Sequence, residues 1–167
     1  MTASDLPRGN RSGAGADAAL DADPGAMPDA VGLPAAIRDA IVAHALAELP
    51  NEACGIVVGD RPGASGGRAL RFVPARNAAT SPTRYELDGR DLVRLTLEID
   101  DRGEAFWAIV HSHVRGEPRP SPTDVAGAHH PEALHLVVGP LDGSRPPEVR
   151  AWLIAGPGVR EIAIEVR

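Results

Sequence analysis

A chain of 167 residues can close one hydrophobic core and gives no reason to expect a second domain. A formal net charge of −6 argues against a nucleic-acid binder, and the single cysteine, Cys54, excludes both an intrachain disulfide and a CxxC zinc site. No apolar run reaches the length of a membrane span and the N-terminus lacks a hydrophobic signal core, so a soluble cytoplasmic protein is the expectation.

Residues 1–32 are Ala, Gly, Asp, Ser and Pro with scarcely a large apolar side chain, too little to offset the entropy of ordering. They are predicted to be a disordered extension, with the folded domain spanning 33–167. Leu33, Ile37, Ile41 and Ala45 recur at helical spacing up to Leu49, and Pro50 ends the helix. His44 on this helix is expected to be solvated. The segment Asn51 to Gly59 reads as a loop feeding a buried strand, in which Cys54 is a small buried hydrophobe. After a Gly/Pro turn, Ala69 to Val73 returns as a hairpin partner. A short strand is predicted at Tyr85-Glu86-Leu87. Asp88 then caps a helix carrying Leu92, Leu95 and Ile99, which Gly103 stops.

The apolar run Ala105 to Val110 is aromatic and β-branched and reads as a buried strand. A loop rich in Gly and Pro, Val114 to Pro120, turns away from it, and Ser121-Pro122 starts a helix. His129-His130-Pro131 is expected to close that helix, with the imidazoles at its C-terminal dipole. Leu134 to Gly139 is another strand, in which His135 reads as a packed or hydrogen-bonded residue. Val149 to Ala155 and Val159 to Val166 form a hairpin around Gly156-Pro157-Gly158. Strands outnumber helices and several connections are hairpins. The fold class is therefore α/β in the broad sense (α+β): a mixed, largely antiparallel sheet flanked by helices.

The chemistry concentrates between His111 and Asp124. Side chains alternate along a strand, so His111 and His113 point the same way and both can reach one metal ion. The turn at Pro118 and Pro120 would bring Asp124, in the first helical turn, back toward them. Two neutral imidazoles and one carboxylate leave a fourth position for water, the arrangement of catalytic zinc. Each part has a plainer reading. Ser121-Pro122-Thr123-Asp124 also fits a capping box, and paired histidines at a strand end can be exposed by chance. Their combination favours the metal reading. Ser121 can serve both purposes, because a hydroxyl that accepts a helix N–H still has a hydrogen to donate. Glu52, just before the apolar run that starts the first predicted strand, is either a solvated strand-end acid or the carboxylate that a metallohydrolase needs near its water.

Glu52 upstream, His111-Ser112-His113, seven residues, then Ser121-Pro122-Thr123-Asp124 resembles the motif of the JAMM (MPN-plus) metalloprotease family over nearly all of Leu33 to Arg167. The stretches from Glu52 to Gly59, from Arg76 to Ala79, from Ser81 to Tyr85 and from Asp100 to Glu104 are most similar to the family's actinobacterial Mec group. Those hydrolases release cysteine from the C-terminus of a ubiquitin-like sulfur carrier, CysO. The resemblance implies an MPN-type fold, one zinc ion held by His111, His113 and Asp124, Glu52 as general base and acid, and Ser121 as oxyanion stabiliser. It implies a CysO-like carrier protein as substrate and partner. The terminal carboxylate of such a substrate needs a partner, and Arg84 or Arg115 could supply bidentate hydrogen bonds, the plainer reading of each being a solvated surface arginine. Two functions stay open beside it: an isopeptidase acting on another ubiquitin-like modifier, and a non-catalytic MPN-type scaffold. A metal-binding cupin fits less well, because the flanking glycines are missing and the helices argue against an all-β barrel, whereas a facial-triad iron oxygenase shares the ligand set and is told apart by metal analysis.

Overall fold

The computed structural model describes residues 27–167. The chain runs β1 (Ala30–Leu33), α1 (Ala35–Ala47), β2 (Cys54–Gly59), β3 (Ala69–Ala75), α2 (Gly89–Asp101), β4 (Ala105–Ser112), α3 (Pro122–Ala126), β5 (Leu134–Gly139), β6 (Glu148–Ala155) and β7 (Gly158–Val166), with one 3₁₀ turn at Gly63–Ser65. The strands form one seven-stranded sheet in the order β1-β7-β6-β5-β4-β2-β3. Only β1 with β7 and β4 with β5 are parallel, so the expected mixed, largely antiparallel sheet flanked by helices is what forms.

The central strands β2 and β5 are buried along their whole length, as their unbroken apolar sequences require. Helix α1 lays Ile37, Ile41 and Ala45 on one face of the sheet, in the main core with Val57, Val110, Leu136 and Leu153. Helix α2 lays Leu95 and Ile99 on the other face, against Ile56, Val58 and Ile109. Its start is fixed as the sequence indicates: the Asp88 side chain accepts from the backbone N–H groups of Arg90 and Asp91.

Four expectations are corrected. The predicted extension ends too late, because Ala30 to Leu33 pair in parallel with Ala163 to Val166 at the sheet edge. Val31 and Leu33 are buried there, a pattern too short to stand out in a stretch dominated by Ala, Gly and Asp. Leu33 thus belongs to a strand and α1 starts after Pro34; the expected disorder of residues 1–26 lies outside the described residues. Tyr85 to Leu87 makes a single bridge, Asn77 with Leu87, rather than a strand. His44 is half-buried, with Nε2 3.1 Å from the Cys54 carbonyl. Finally, α3 is one short helix that ends at Gly127, so His129 and His130 lie beyond it and do not cap its dipole.

Three features aim the fold at one spot. The antiparallel register of β2 and β4 sets Cys54 opposite His111, and continued by two residues it brings Glu52 opposite His113. Parallel pairing of β4 with β5 requires a crossover, which carries α3 past the C-terminal end of β4. Gly139 lets the end of β5 approach closely, since a Cβ there would stand 2.9 Å from the His113 carbonyl oxygen.

Leu33→Ala tests whether β1 belongs to the folded unit. Leu33 is fully buried, so the variant is expected to lose about 2–5 kcal/mol, read as a lower midpoint in denaturant unfolding at unchanged slope. A midpoint equal to wild type would return β1 to the extension.

Candidate metal centre

His111, the penultimate residue of β4, is fully buried, and His113 follows one residue past the strand, partly buried at the rim. Asp124 lies in the first turn of α3 and is buried. One potential ligand atom from each of the three falls within 4.8 Å of the others. The Asp124 Oδ2 atom lies 3.3 Å from His111 Nε2 and 3.4 Å from His113 Nε2.

The capping box and the candidate carboxylate ligand are one object. Ser121 Oγ accepts from the Asp124 backbone N–H at 3.2 Å, while the Ser121 backbone N–H donates to Asp124 Oδ2 at 2.7 Å. The cap therefore orients the oxygen that faces the imidazoles. Oγ keeps its hydrogen for another acceptor, as the sequence argument required.

The imidazoles are fixed by different means. His113 Nδ1 lies 2.9 Å from the Glu117 carbonyl, to which it donates, so the unprotonated lone pair belongs to Nε2. His111 is held by packing, with the Tyr85 ring stacked on it at 4.3 Å between centroids and 13° between planes. Among the described residues neither of its ring nitrogens has a hydrogen-bond partner, although Nε2 lies 3.3 Å from Asp124 Oδ2. A buried polar atom without a partner costs about 1–3 kcal/mol. A cation between these three groups would satisfy Nε2, and the donor set, two imidazole nitrogens and a carboxylate oxygen, fits zinc.

Charge follows the same geometry. Burial pulls the His111 pKa down, which keeps the ring neutral as a ligand must be. For His113 burial acts in the same direction, but the Asp124 carboxylate and the Glu117 carbonyl outweigh it and raise the pKa. Burial alone would raise Asp124; its contacts with His111, His113 and Ser121 reverse that and hold its carboxyl well below the usual range.

Glu52 is 5% exposed and its backbone is pinned twice, by its own N–H to the Ser81 carbonyl and by Asn77 Nδ2 donating to its carbonyl. Its carboxylate makes no hydrogen bond among the described residues and lines a groove of about 560 Å³ with His113, Ser121, Asp124 and Arg115. Burial pushes its pKa up to about 7, His113 working against this and Asp124 with it. A second cavity, about 430 Å³, opens on the other side of Asp124. His135 lines it, 2% exposed, with both ring nitrogens unpartnered, so this residue is packed but not hydrogen-bonded. Its pKa falls to about 4, mainly through burial.

All five residues singled out from the sequence meet here. Several that support them were not foreseen. Ser112, between the histidines, accepts from the Ala53 N–H at 2.8 Å and thereby ties Glu52's segment to the ligand strand. Trp152 Nε1 donates to the Pro118 carbonyl at 2.8 Å, and Arg145 pairs with Glu117, so the loop whose carbonyl holds His113 is fastened from outside. Tyr85 was legible as a strand residue and as part of a similar stretch, but not as the ring stacked on His111. Contacts of this kind join distant segments and leave no local spacing to find.

Comparison with known proteins agrees with this geometry. The family model described as prokaryotic homologs of the JAB domain matches residues 34–155, and the chain belongs to this JAMM/MPN family. The chain is 36% identical to the CysO-cysteine peptidase of Mycobacterium tuberculosis over 128 residues, 77% of this chain and 85% of the relative. It is 31% identical over 135 residues to a probable TtuB-protein conjugate cleaving protease of Thermus thermophilus, covering 80% and 81%. A solution structure of a Desulfitobacterium hafniense protein, 28% identical, superposes with a TM-score of 0.72 over 82% of this chain and 92% of the other.

Burial of the Glu52 carboxyl has a cost that can be read without metal. Its folded-state pKa lies above the unfolded value, so the neutral form is favoured on folding and the penalty develops as pH rises from about 4.5 to about 7. In metal-free protein Glu52→Gln is expected to raise the melting temperature at pH 8 by an amount equivalent to at most a few kcal/mol, with little gain at pH 4. Equal melting temperatures at pH 8 would show that the carboxylate is solvated after all.

Proposed function

We propose that this chain is a zinc hydrolase that cleaves the amide between the C-terminal glycine of a ubiquitin-like sulfur-carrier protein, CysO-like, and cysteine. The products are free cysteine and regenerated carrier. The observation that carries the reading is the buried His111, His113 and Asp124 cluster with the unpaired Glu52 carboxylate on the same groove. The names of the mycobacterial and Thermus relatives support hydrolysis of ubiquitin-like conjugates in general, and the mycobacterial one supports cysteine as the leaving group. Residues 30–167 are then the catalytic domain, with β1 as its first strand. A cytoplasmic site of action agrees with the lone, buried thiol of Cys54, and no helix among the described residues is long and apolar enough to cross a membrane.

One zinc ion would be held by His111, His113 and Asp124. When bound, zinc supplies a Lewis acid for the scissile carbonyl and brings the pKa of a water to about 7. Glu52 accepts the proton of the attacking water and returns it to the departing amine, a double role suited to a carboxyl poised near neutrality. Ser121 Oγ donates its free hydrogen to the oxyanion that develops on the carbonyl. The glycine tail suits a site bounded by two cavities that meet at Asp124, since a chain without side chains can lie close to both walls.

The second reading, an isopeptidase for another ubiquitin-like modifier, uses the same residues and differs only in what leaves. The intact ligand set disfavours a non-catalytic scaffold.

Elemental analysis of purified protein is expected to give about one zinc per chain, falling sharply in His113→Ala; unchanged zinc in that variant would remove the ligand assignment. Glu52→Gln should keep zinc yet lose about 10²–10⁴ in turnover, because an amide cannot accept the proton. Near-wild-type turnover would end the base role, and lost zinc would make Glu52 a ligand. Intact mass of carrier–Cys before and after incubation tests the substrate. Cleavage only of carrier joined to a lysine side chain would transfer the assignment to the isopeptidase reading.

A further inference from the structure

Of the two arginines that could receive the carboxylate of a leaving amino acid, the structure separates one from the other. In the proposed reaction Glu52 delivers the proton to the departing nitrogen, so the leaving group must occupy the groove that Glu52 lines. Arg115 lines that groove with Glu52, His113 and Ser121. Arg84 lines the cavity on the far side of Asp124, and its guanidinium pairs with Glu86 at 3.2 Å. Arg115 makes no ion pair within 4.0 Å and no side-chain hydrogen bond among the described residues, although most of the other arginines have such a partner.

We propose that Arg115 binds the free α-carboxylate of the leaving amino acid, making the site selective for a carrier that ends in one amino acid over a carrier joined to a lysine side chain. This rests on the proposed hydrolysis and names what sets its leaving-group preference. The carboxyl carbon of an amino acid is two bonds from its nitrogen, so a group that reads it must stand beside the proton donor. Arg115 follows His113 by two residues, is exposed, and lines the groove beside it. A guanidinium matches a carboxylate with two parallel N–H···O bonds. Of the remaining walls, Pro50, Pro82 and Val114 are apolar and Thr83 adds a hydroxyl, which suits a small side chain beside that charge. A lysine side-chain amide would instead place methylenes against the guanidinium and leave it unpaired.

The test uses zinc-loaded full-length protein and three substrates: carrier–Cys with a free carboxylate, the same carrier ending in cysteinamide, and carrier joined to a lysine side chain. Wild type is expected to prefer the free acid over cysteinamide by about 10–100-fold in kcat/KM, the range of a hydrogen-bonded charge pair. Arg115→Ala should bring that ratio close to one through a loss on the acid, Arg115→Lys should recover part of it, and Arg84→Ala should retain it. Calorimetric affinities of the acid and the amide for Glu52→Gln, with and without Arg115→Ala, are expected to follow the same pattern without turnover. Equal wild-type rates on acid and amide, or a preference that survives Arg115→Ala or is lost in Arg84→Ala, would overturn the Arg115 assignment and leave carrier hydrolysis standing. No cleavage of any of the three substrates would overturn the hydrolase reading and this inference together.

Discussion

Three nitrogen atoms converge on one carboxylate oxygen, Asp124 Oδ2: the Ser121 backbone N–H and the Nε2 atoms of His111 and His113. The first is a helix cap and the others come from the end of a strand, so this oxygen joins α3 to β4. Such a junction is unfavourable for protein atoms alone. It buries a carboxylate beside a neutral, unpartnered imidazole, and burial of ionised or unsatisfied groups is costly unless something compensates. A cation at that point would neutralise the carboxylate and use the free nitrogen. Since His113 must be unprotonated to act as a ligand while Asp124 favours its proton, metal binding and acid compete for this cluster.

The backbone keeps the junction from relaxing. His111 cannot turn toward water, because β5 covers one edge of its strand, β2 the other, and Tyr85 its ring. His113 is less buried but is tied to the Glu117 carbonyl, in a loop fastened by Trp152 and Arg145. Preorganised ligands of this sort lose little freedom when a metal arrives, which is where much of an otherwise modest three-ligand site gains its affinity.

What the sequence revealed divides by range. The alternation of His111 and His113, the Ser121 cap with Asp124 in its first turn, and Asp88 before α2 are local patterns, and each forms as expected. The edge strand β1 escaped because only Val31 and Leu33 mark it and its partner lies at the other end of the chain. His129 and His130 were misplaced because α3 closes at Gly127, a stop signal weaker to the eye than the histidines and Pro131 that follow. Ser112, Asn77, Tyr85 and Trp152 act across strands or loops, where side-chain spacing carries no trace of the contact. The register that brings Glu52 to the site was likewise invisible locally, although its result could be anticipated once the motif was seen whole.

That register also gives the serine between the two histidines a role of its own. Ser112 points away from the imidazoles, onto the face that Val110 shares with α1, and there its hydroxyl accepts the Ala53 N–H while its own N–H bonds the Ala53 carbonyl. The backbone of Ala53 is thus held from both its polar atoms by one residue, and Glu52 is its neighbour. An alanine at this position would keep both histidines and the backbone bond but leave the Ala53 N–H buried and unpaired, loosening the carboxylate rather than the metal ligands. The geometry of the candidate ligands and that of the Glu52 carboxylate are therefore set by alternate residues along β4 and just past it, each working on its own side of the sheet.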